Sequence, residues 1–343
     1  MQYMMSGYTH EWHECVHRSY FYDDINIRIF HLSSSSSSIT IYSGWYCGNM
    51  CGVYGMKRLG IFVDRRTMSS ANQLAALIRC RDVAESRGHE VDFIFPTDIA
   101  KIPKVDALFI RARTDPMNVT YVASRIAELN DIPVVDDSLS IQICADKVNM
   151  YSHLEKANVP IPKTIFLSKK DITVENAEKL FKDLGVPLII KEPSTSFSAR
   201  VEKVNNIDEF FNISKRFIKM SDWIVVQQYV ESIYDWRVGV LGGELLYVCK
   251  YTIPSVTFKI QASIDGHIVY CDVDGVKEED VPPEIIKVGI DAANAIGEGL
   301  YGVDIKNTNG STCVIEVNDN PSLESGEDEY YPLVYEKIVD HLL

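Results

Sequence analysis

The chain reads as α/β in its first part and α+β in the remainder, and three observations point there. Short apolar runs alternate with amphipathic stretches between residues 57 and about 140, the pattern of strands and helices that build a parallel sheet covered on both faces. Near the C-terminus, two β-branched runs flank Asn309-Gly310, a strong short-range signal for an antiparallel hairpin. The third is size: 343 residues, 46% of them hydrophobic, suffice for more than one core, so about two to three domains are expected.

Residues 1–55 differ from the rest. They hold four of the eight histidines, a serine run from Ser33 to Ser38, and no sustained periodicity. His10, His13, Cys15, His17, Cys47 and Cys51 are zinc-ligand types, but their spacing fits no closed structural site. The segment is expected to be a disordered extension, with Met56 as an alternative natural start. From Lys57 the pattern becomes orderly. Leu59 to Asp64 is a buried strand, followed by a helix from about Ser70 to Arg87 that stops at Gly88. Val91–Phe95 and Ala107–Ile110 are further strands, and a helix from about Asn118 to Leu129 leads into Ile132–Val135. Arg111 and Arg113 follow the third strand, at a carboxyl end where such sheets bind ligands. The pair suits bidentate capture of a substrate carboxylate; an ordinary surface loop with salt bridges has the same composition.

The C-terminal hairpin raises a question of parity. Glu316 and Asn318 stand two apart on its second strand and share a face, while Ile315 and Val317 take the other. A two-residue Asn309-Gly310 turn would oppose Asp304 to Ile315, on the wrong side. An odd loop or a bulge would oppose it to Glu316. We expect a three-residue or bulged turn with Gly310 at positive φ. That geometry gathers two carboxylates and a carboxamide oxygen, hard ligands suited to Mg2+ bridging phosphates; a solvated polar face on an edge hairpin shows the same residues.

Upstream, Asp146-Lys147 opens an amphipathic stretch, and Gly185-Val-Pro-Leu-Ile-Ile-Lys191 ends an apolar strand on a lysine. Then come Ser194-Thr-Ser-Phe-Ser198-Ala, Val225-Val-Gln-Gln228-Tyr229-Val230 and Asp235-Trp236-Arg237-Val-Gly-Val. This order, completed by Asp304 and Glu316-x-Asn318, resembles the ATP-grasp superfamily. Within it the chain is similar to RimK-like carboxylate–amine ligases of the glutamate-ligase type, which carry a distinctive N-terminal domain. The likeness covers roughly residues 57–340. It implies a pre-ATP-grasp parallel-sheet domain over residues 56–145 and a two-lobed ATP-grasp domain over 146–343, with lobes at 146–230 and 231–343.

The resemblance also implies roles. Lys147 and Lys191 become phosphate cations, since a buried ammonium needs an anion. Ser196 and Ser198 lie on the small loop that folds over the phosphates. Gln228, Tyr229 and Val230 hold adenine, Asp235 the ribose. Arg237, with Lys191, meets the transferred phosphoryl group, and Arg237 the later oxyanion. Asp304, Glu316 and Asn318 hold Mg2+, two ions being expected, with Mn2+ as a substitute. The implied chemistry is ATP-dependent formation of an acylphosphate and its capture by an amine to give an amide. Candidate substrates are small-molecule or peptide carboxylates and amines, glutamate among them. Two other readings stand beside it: a kinase on the same scaffold, and a non-catalytic ATP-binding protein.

Three departures from the relatives bear on those readings. Arg200 stands where they have glycine, Gln228 where many have glutamate, and Tyr251–Ser263 replaces a basic-glycine-histidine-tryptophan stretch. Lys259 is the cation that this segment offers to an acceptor. Composition adds exclusions. A net charge of −14 opposes a nucleic-acid partner. No apolar run approaches the roughly 20 residues of a membrane helix. Eight scattered cysteines suit reduced thiols. A cytoplasmic enzyme is expected, with homo-oligomeric assembly compatible.

Overall fold

The computed structural model describes Tyr20–Tyr22, Ile25–Ile27 and residues 55–343, apart from 196–198, 256, 260, 265–266, 309 and 325. The chain divides into two units, Met1–Val53 and Tyr54–Leu343. In the first, β1 (Tyr20–Tyr22) pairs antiparallel with β2 (Ile25–Ile27). The serine run and the six zinc-ligand types lie outside the described residues.

The second unit begins with a four-stranded parallel sheet. Its strands are β3 (Arg58–Phe62), β4 (Glu90–Ile94), β5 (Ala107–Ile110) and β6 (Val134–Val135), in the order β4-β3-β5-β6. Strand parity divides their apolar side chains between two cores. Leu59, Ile61, Ala107 and Phe109 meet Ala76, Leu77 and Cys80 of α2 (Ala71–Ser86), which follows the short α1 (Arg65–Ser69). Phe62, Leu108 and Ile110 meet Ala123 and Ala127 of α3 (Val119–Leu129). Both helices start on side-chain caps: the Ser70 hydroxyl accepts from the Gln73 N–H, and the Asn118 side chain from the Thr120 N–H. Gly88, at φ +84°, supplies the left-handed residue that ends the first of them. The parallel sheet covered on both faces is thus as the alternating pattern requires.

Two short helices, α4 (Ser138–Ala145) and α5 (Lys147–Lys156), are capped by Asp137 and Asp146 and lead into two antiparallel sheets. The first contains β7 (Thr164–Ser168), β8 (Leu188–Lys191), β9 (Val201–Val204) and β10 (Trp223–Gln228), in the order β7-β10-β8-β9. Leu188, Ile190, Ile224 and Val226 pack on α6 (Val174–Leu184) and α7 (Ile207–Phe217), whose Leu180, Phe210 and Phe217 fill that core. Ile189, Lys191, Val225 and Gln227, of opposite parity, face the other way. The second sheet contains β11 (Tyr234–Leu241), β12 (Glu244–Thr252), β15 (Asp272–Gly275), β16 (Leu300–Thr308) and β17 (Ser311–Asn318), ordered β15-β12-β11-β16-β17. A separate hairpin joins β13 (Gln261–Ile264) to β14 (His267–Tyr270). Helix α8 (Pro283–Asn294) packs on β11 and β16, and Gly289 lets it close on Val238: a Cβ there would meet the valine Cγ1 at 2.7 Å.

The last helix, α9 (Val334–Leu342), returns to the parallel sheet. Ile338, Val339 and Leu342 share one core with Leu59 and Ile61 and also with Leu241, Leu246 and Tyr247 of the five-stranded sheet. The parallel sheet is therefore cemented to the second antiparallel lobe. Among the described residues no helix is long and apolar enough to cross a membrane, and Cys80, Cys144, Cys249, Cys271 and Cys313 are free thiols. The docking of α9 predicts that Ile338→Ala, at a side chain 1% exposed, costs about 2–5 kcal/mol in urea unfolding, whereas Leu333→Ala, 59% exposed, changes stability by less than about 0.5 kcal/mol.

Candidate active site

The five-stranded sheet presents its polar side chains in rows. Arg237 on β11 is the register partner of Asp304 on β16, and Asp304 of Glu316 on β17. The Arg237 guanidinium holds Asp304 bidentately, Nε to Oδ1 at 2.5 Å and Nη2 to Oδ2 at 2.9 Å, over the ring of Tyr251 at 5.0 Å. One row towards the strand ends, the Lys306 ammonium donates to Asp235 Oδ1 at 2.5 Å and to the Ser232 hydroxyl. In the row on the other side, Gly239, Gly302 and Asn318 are aligned. Gly302 is what lets Arg237 lie across the sheet: a Cβ there would stand 2.9 Å from Nη1 and 2.7 Å from the Pro321 Cβ. Asn318 Nδ2 donates to Asp304 Oδ2 and to the Gly302 carbonyl, both at 3.2 Å.

Asp304 and Glu316 do face each other, with Gly310 at φ +76°, but the device differs from the expected one. Thr308 pairs directly with Ser311, so only two residues make the turn. The ladder slips between Asp304 and Ile305, where Ile305 pairs with Val314 and Ile315 is the extra residue. The bulge thus sits beside the carboxylates rather than at the turn, and parity is restored where it is needed. A helix side chain ties it down: the Tyr151 hydroxyl donates to the Ile315 carbonyl at 2.6 Å.

The first lobe contributes the lysines. Lys191 ends β8 on the face opposite its apolar neighbours, and its ammonium donates to the Tyr151 hydroxyl at 2.7 Å. Lys147 begins α5, bonds the Thr195 carbonyl at 2.5 Å and pairs with Glu316 Oε1 at 3.1 Å. Both ammonium groups are buried. Burial drives the Lys191 pKa down to about 8, against the opposing pull of Glu316, Cys313, Asp235 and Asp304. Burial also works against charge on Glu316, but Lys147 and then Lys191 more than offset it and hold that carboxyl below its usual range. For Arg237 burial is again outweighed, by Asp304, and its pKa is raised.

The remaining expected residues fall as follows. Ser196 and Ser198 lie outside the described residues, although Arg200, just beyond, adopts φ +52°, the left-handed conformation that glycine enters freely. Its guanidinium approaches Glu192 at 3.5 Å. The Gln228 N–H is already given to the Lys163 carbonyl, while Tyr229 and Val230 make no backbone hydrogen bond among the described residues. Lys259 lies over the Phe258 ring, and Phe258 packs edge-on against Tyr229 with Lys203 between them, so the Tyr251–Ser263 segment touches the 228–230 hinge. Arg111 and Arg113 part company. Arg111 is buried and Nη2 donates to the Pro321 carbonyl at 2.5 Å, while Arg113 is exposed and its carbonyl accepts from Asn118 and Thr120.

Four residues around the site were missed. Lys306 stands two from Asp304 on one strand, and Tyr151 four from Lys147 on one helix; both spacings were readable as shared faces. Asp136 and Asp319 carried no such signal. Burial foremost pushes the Asp319 carboxyl up to about 7, and holds Asp136 well above its ordinary value, with Asp319 adding to the effect.

Against this geometry, the RimK-like ATP-grasp domain family matches residues 144–342, more than half of the chain, and the chain belongs to that family. It is 26% identical over 298 residues to a protein of Shewanella loihica named probable alpha-L-glutamate ligase, covering 79% of this chain and 93% of that one. It is 27% identical over 208 residues to the glutamate–LysW ligase ArgX of Sulfolobus acidocaldarius, covering 59% and 70%. Its fold is similar to that of D-alanine–D-alanine ligase from Bacillus anthracis, at TM-score 0.62 and 18% identity over 84% of this chain and 96% of that one. ATP-grasp ligases use ATP with a divalent metal ion.

The donor set here fits such an ion. Among the described residues no three His, Cys, Asp or Glu side chains gather as a metal group; a third protein oxygen beside Asp304 and Glu316 would be that of Asn318. Its Nδ2 is turned to Asp304, and its Oδ1 accepts no hydrogen bond among the described residues. Two carboxylates and a carboxamide oxygen are hard donors of the kind Mg2+ takes.

The buried Lys191 predicts a pH dependence. Only its protonated form attracts phosphate, and that form is lost as pH rises through about 8. Affinity for a non-hydrolysable ATP analogue, measured by calorimetry, should be flat from pH 6.5 to 7.5 and weaken by up to about tenfold per unit between pH 8 and 10. Lys191→Met should remove that slope.

Proposed function

We propose that the chain is an ATP- and Mg2+-dependent carboxylate–amine ligase, which activates a carboxylate as its acylphosphate and passes the acyl group to an amine. The observation that supports this best is the buried row Arg237–Asp304–Glu316 with Lys147 paired to its end and Lys191 close by. Buried cations beside a hard-oxygen donor set suit a polyphosphate and its metal ion better than any uncharged ligand.

A substrate carboxylate oxygen attacks the γ-phosphorus, the bond to the β–γ bridging oxygen breaks, and ADP departs. The amine nitrogen then adds to the acyl carbon, the bond to the phosphate oxygen breaks, and phosphate leaves as the amine gives up a proton. Lys147 and Lys191 exchange Glu316 and Tyr151 for phosphate oxygens. Arg237 meets the transferred phosphoryl group and then the tetrahedral oxyanion. Asp304, Glu316 and Asn318 would hold Mg2+, as two ions or replaced by Mn2+, which when bound would supply neutralisation of charge developing on the phosphates. The role expected of Ser196 and Ser198, which lie outside the described residues, is to exclude water from the acylphosphate. Gln228, Tyr229 and Val230 line the adenine and Asp235 the ribose. Arg111, Arg113 and Lys259 belong to the substrate side. Glutamate is the first amino acid to try, because two relatives carry it in their names; the acceptor is a small molecule or peptide. Free thiols and dependence on ATP suit a cytoplasmic location.

The test is release of ADP and phosphate with Mg2+ and ATP across a panel of amino acids offered as carboxylates and as amines. Turnover should need both partners, and Glu316→Ala should lower it by about a hundredfold or more. Nucleotide binding without turnover on a complete panel would favour the non-catalytic reading, for which Arg200 and Gln228 are the motivating residues.

A further inference from the structure

The strand that carries Glu316 is the outer one of its sheet, since β17 lies beyond β16 at the end of the order β15-β12-β11-β16-β17. An outer, bulged strand has one neighbouring strand to hold its register. A slip of one residue would turn Glu316 from the polar face to the apolar one. Helix α5 and the segment after it take the place of the missing neighbour. The Val314 N–H donates to the Pro160 carbonyl at 2.8 Å, the Tyr151 hydroxyl to the Ile315 carbonyl at 2.6 Å, and the Val317 N–H to the Met150 sulfur at 3.2 Å. The backbone is therefore held on both sides of Glu316, while the Glu316 carboxylate pairs with Lys147 of the same helix. Lys147, Met150 and Tyr151 stand at i, i+3 and i+4, the spacing of one helix face.

The Tyr151 contact differs from the other two. The side chain is 0% exposed, and it lies in one core with Trp236, Val303 and Val314. Its oxygen accepts from the Lys191 ammonium at 2.7 Å, while its proton goes to the Ile315 carbonyl. A cation on the oxygen makes the hydroxyl a stronger donor. Ile315 is the extra residue of the bulge, and the bulge is what sets Glu316 opposite Asp304. One hydroxyl thus joins a phosphate cation of the first lobe to the turn of backbone that aims a metal carboxylate of the second.

We infer that Tyr151 is a positioning residue for the metal site: by fixing the Ile315 carbonyl it holds Glu316 where Mg2+ requires it. The inference rests on the ligase reading and adds a residue to that site. Mg2+ demands near-ideal octahedral geometry, whereas Ca2+ accepts a flexible set of oxygens at longer distances. A loosened Glu316 therefore costs Mg2+ more than Ca2+. Tyr151→Phe removes one oxygen and keeps the ring in its core, so the metal dependence carries the effect.

The test uses the full chain and calorimetry with a non-hydrolysable ATP analogue, in Mg2+, in Ca2+ and in EDTA. The quantity read is the factor by which each ion tightens the analogue over EDTA, a ratio that cancels any loss at Lys191. Tyr151→Phe should cut the Mg2+ factor at least about tenfold and the Ca2+ factor by less than about threefold. A tyrosine that served the fold alone would weaken binding alike in all three conditions. Met150→Leu removes the sulfur beside the Val317 N–H with little change in volume and should lower the Mg2+ factor about threefold. An Mg2+ factor within twofold of wild type in Tyr151→Phe, or equal losses with Mg2+ and Ca2+, would overturn the inference. If Tyr151→Phe fails to fold, an unchanged Mg2+ factor in Met150→Leu overturns it instead. A wild type that binds the analogue with no gain from either ion would overturn the metal set and this inference together. One that binds no analogue would sink the ligase reading itself.

Discussion

The bidentate contact between Arg237 and Asp304 is the constraint around which the second lobe is organised. Two opposite charges buried in the middle of a sheet are tolerated only when geometry and neighbours compensate their lost hydration. Here the strands provide that compensation. Register sets the two residues opposite each other, the Tyr251 ring covers the guanidinium, and the absence of a side chain at Gly302 leaves room for it. Removing either partner would strand a charge in the interior, so the pair couples the register of β11 and β16 to the chemistry of the surface they present. The rows on either side inherit that alignment: Asp235 meets Lys306 in one, and Gly239, Gly302 and Asn318 line up in the other.

The lysines of the first lobe extend the same logic across the cleft. Lys147 reaches Glu316, and Lys191 reaches Tyr151, whose hydroxyl in turn fixes the bulge carbonyl just before Glu316. Lys147, Lys191, Arg237 and Lys306 face only Asp235, Asp304 and Glu316 in this cluster, so it carries a surplus positive charge inside a chain whose net charge is −14. In the proposed function a polyphosphate would bring negative charge to that surplus, and a divalent ion would take over Glu316 as Lys147 releases it. Binding would then exchange partners without leaving these groups unpaired. Burial lowers the proton affinity of Lys191, whose ammonium is held by the Tyr151 hydroxyl.

Much of this was legible along the chain because it depends on local periodicity. Alternation of apolar runs and amphipathic stretches identified the parallel sheet and its helices, with Ser70, Gly88 and Asn118 marking helix ends close to where they fall. Parity along single strands put Glu316 beside Asn318 and demanded a slip in the ladder before Asp304 could join them. The glycine-to-arginine departure at Arg200 fell on a residue that takes a left-handed conformation, as a glycine position would. The site was less legible wherever a residue's role depends on a distant segment. Arg111 and Arg113 look alike in sequence, yet one is buried under Pro321 and the other is exposed, because the chain returns 210 residues later to cover only the first.

The sequence by itself determined the strands, the faces of their side chains and the family to which they belong, because these follow from periods of 2 and 3.6 and from short motifs. Tertiary structure alone decided where the bulge would sit and that Tyr151 would brace it. It also decided that α9 would join the first sheet to the second lobe, and that Asp136 would lie buried with neither carboxylate oxygen hydrogen-bonded among the described residues. Those outcomes depend on which segments meet across long separations, and a buried polar group advertises its partners only once the surfaces that enclose it have come together.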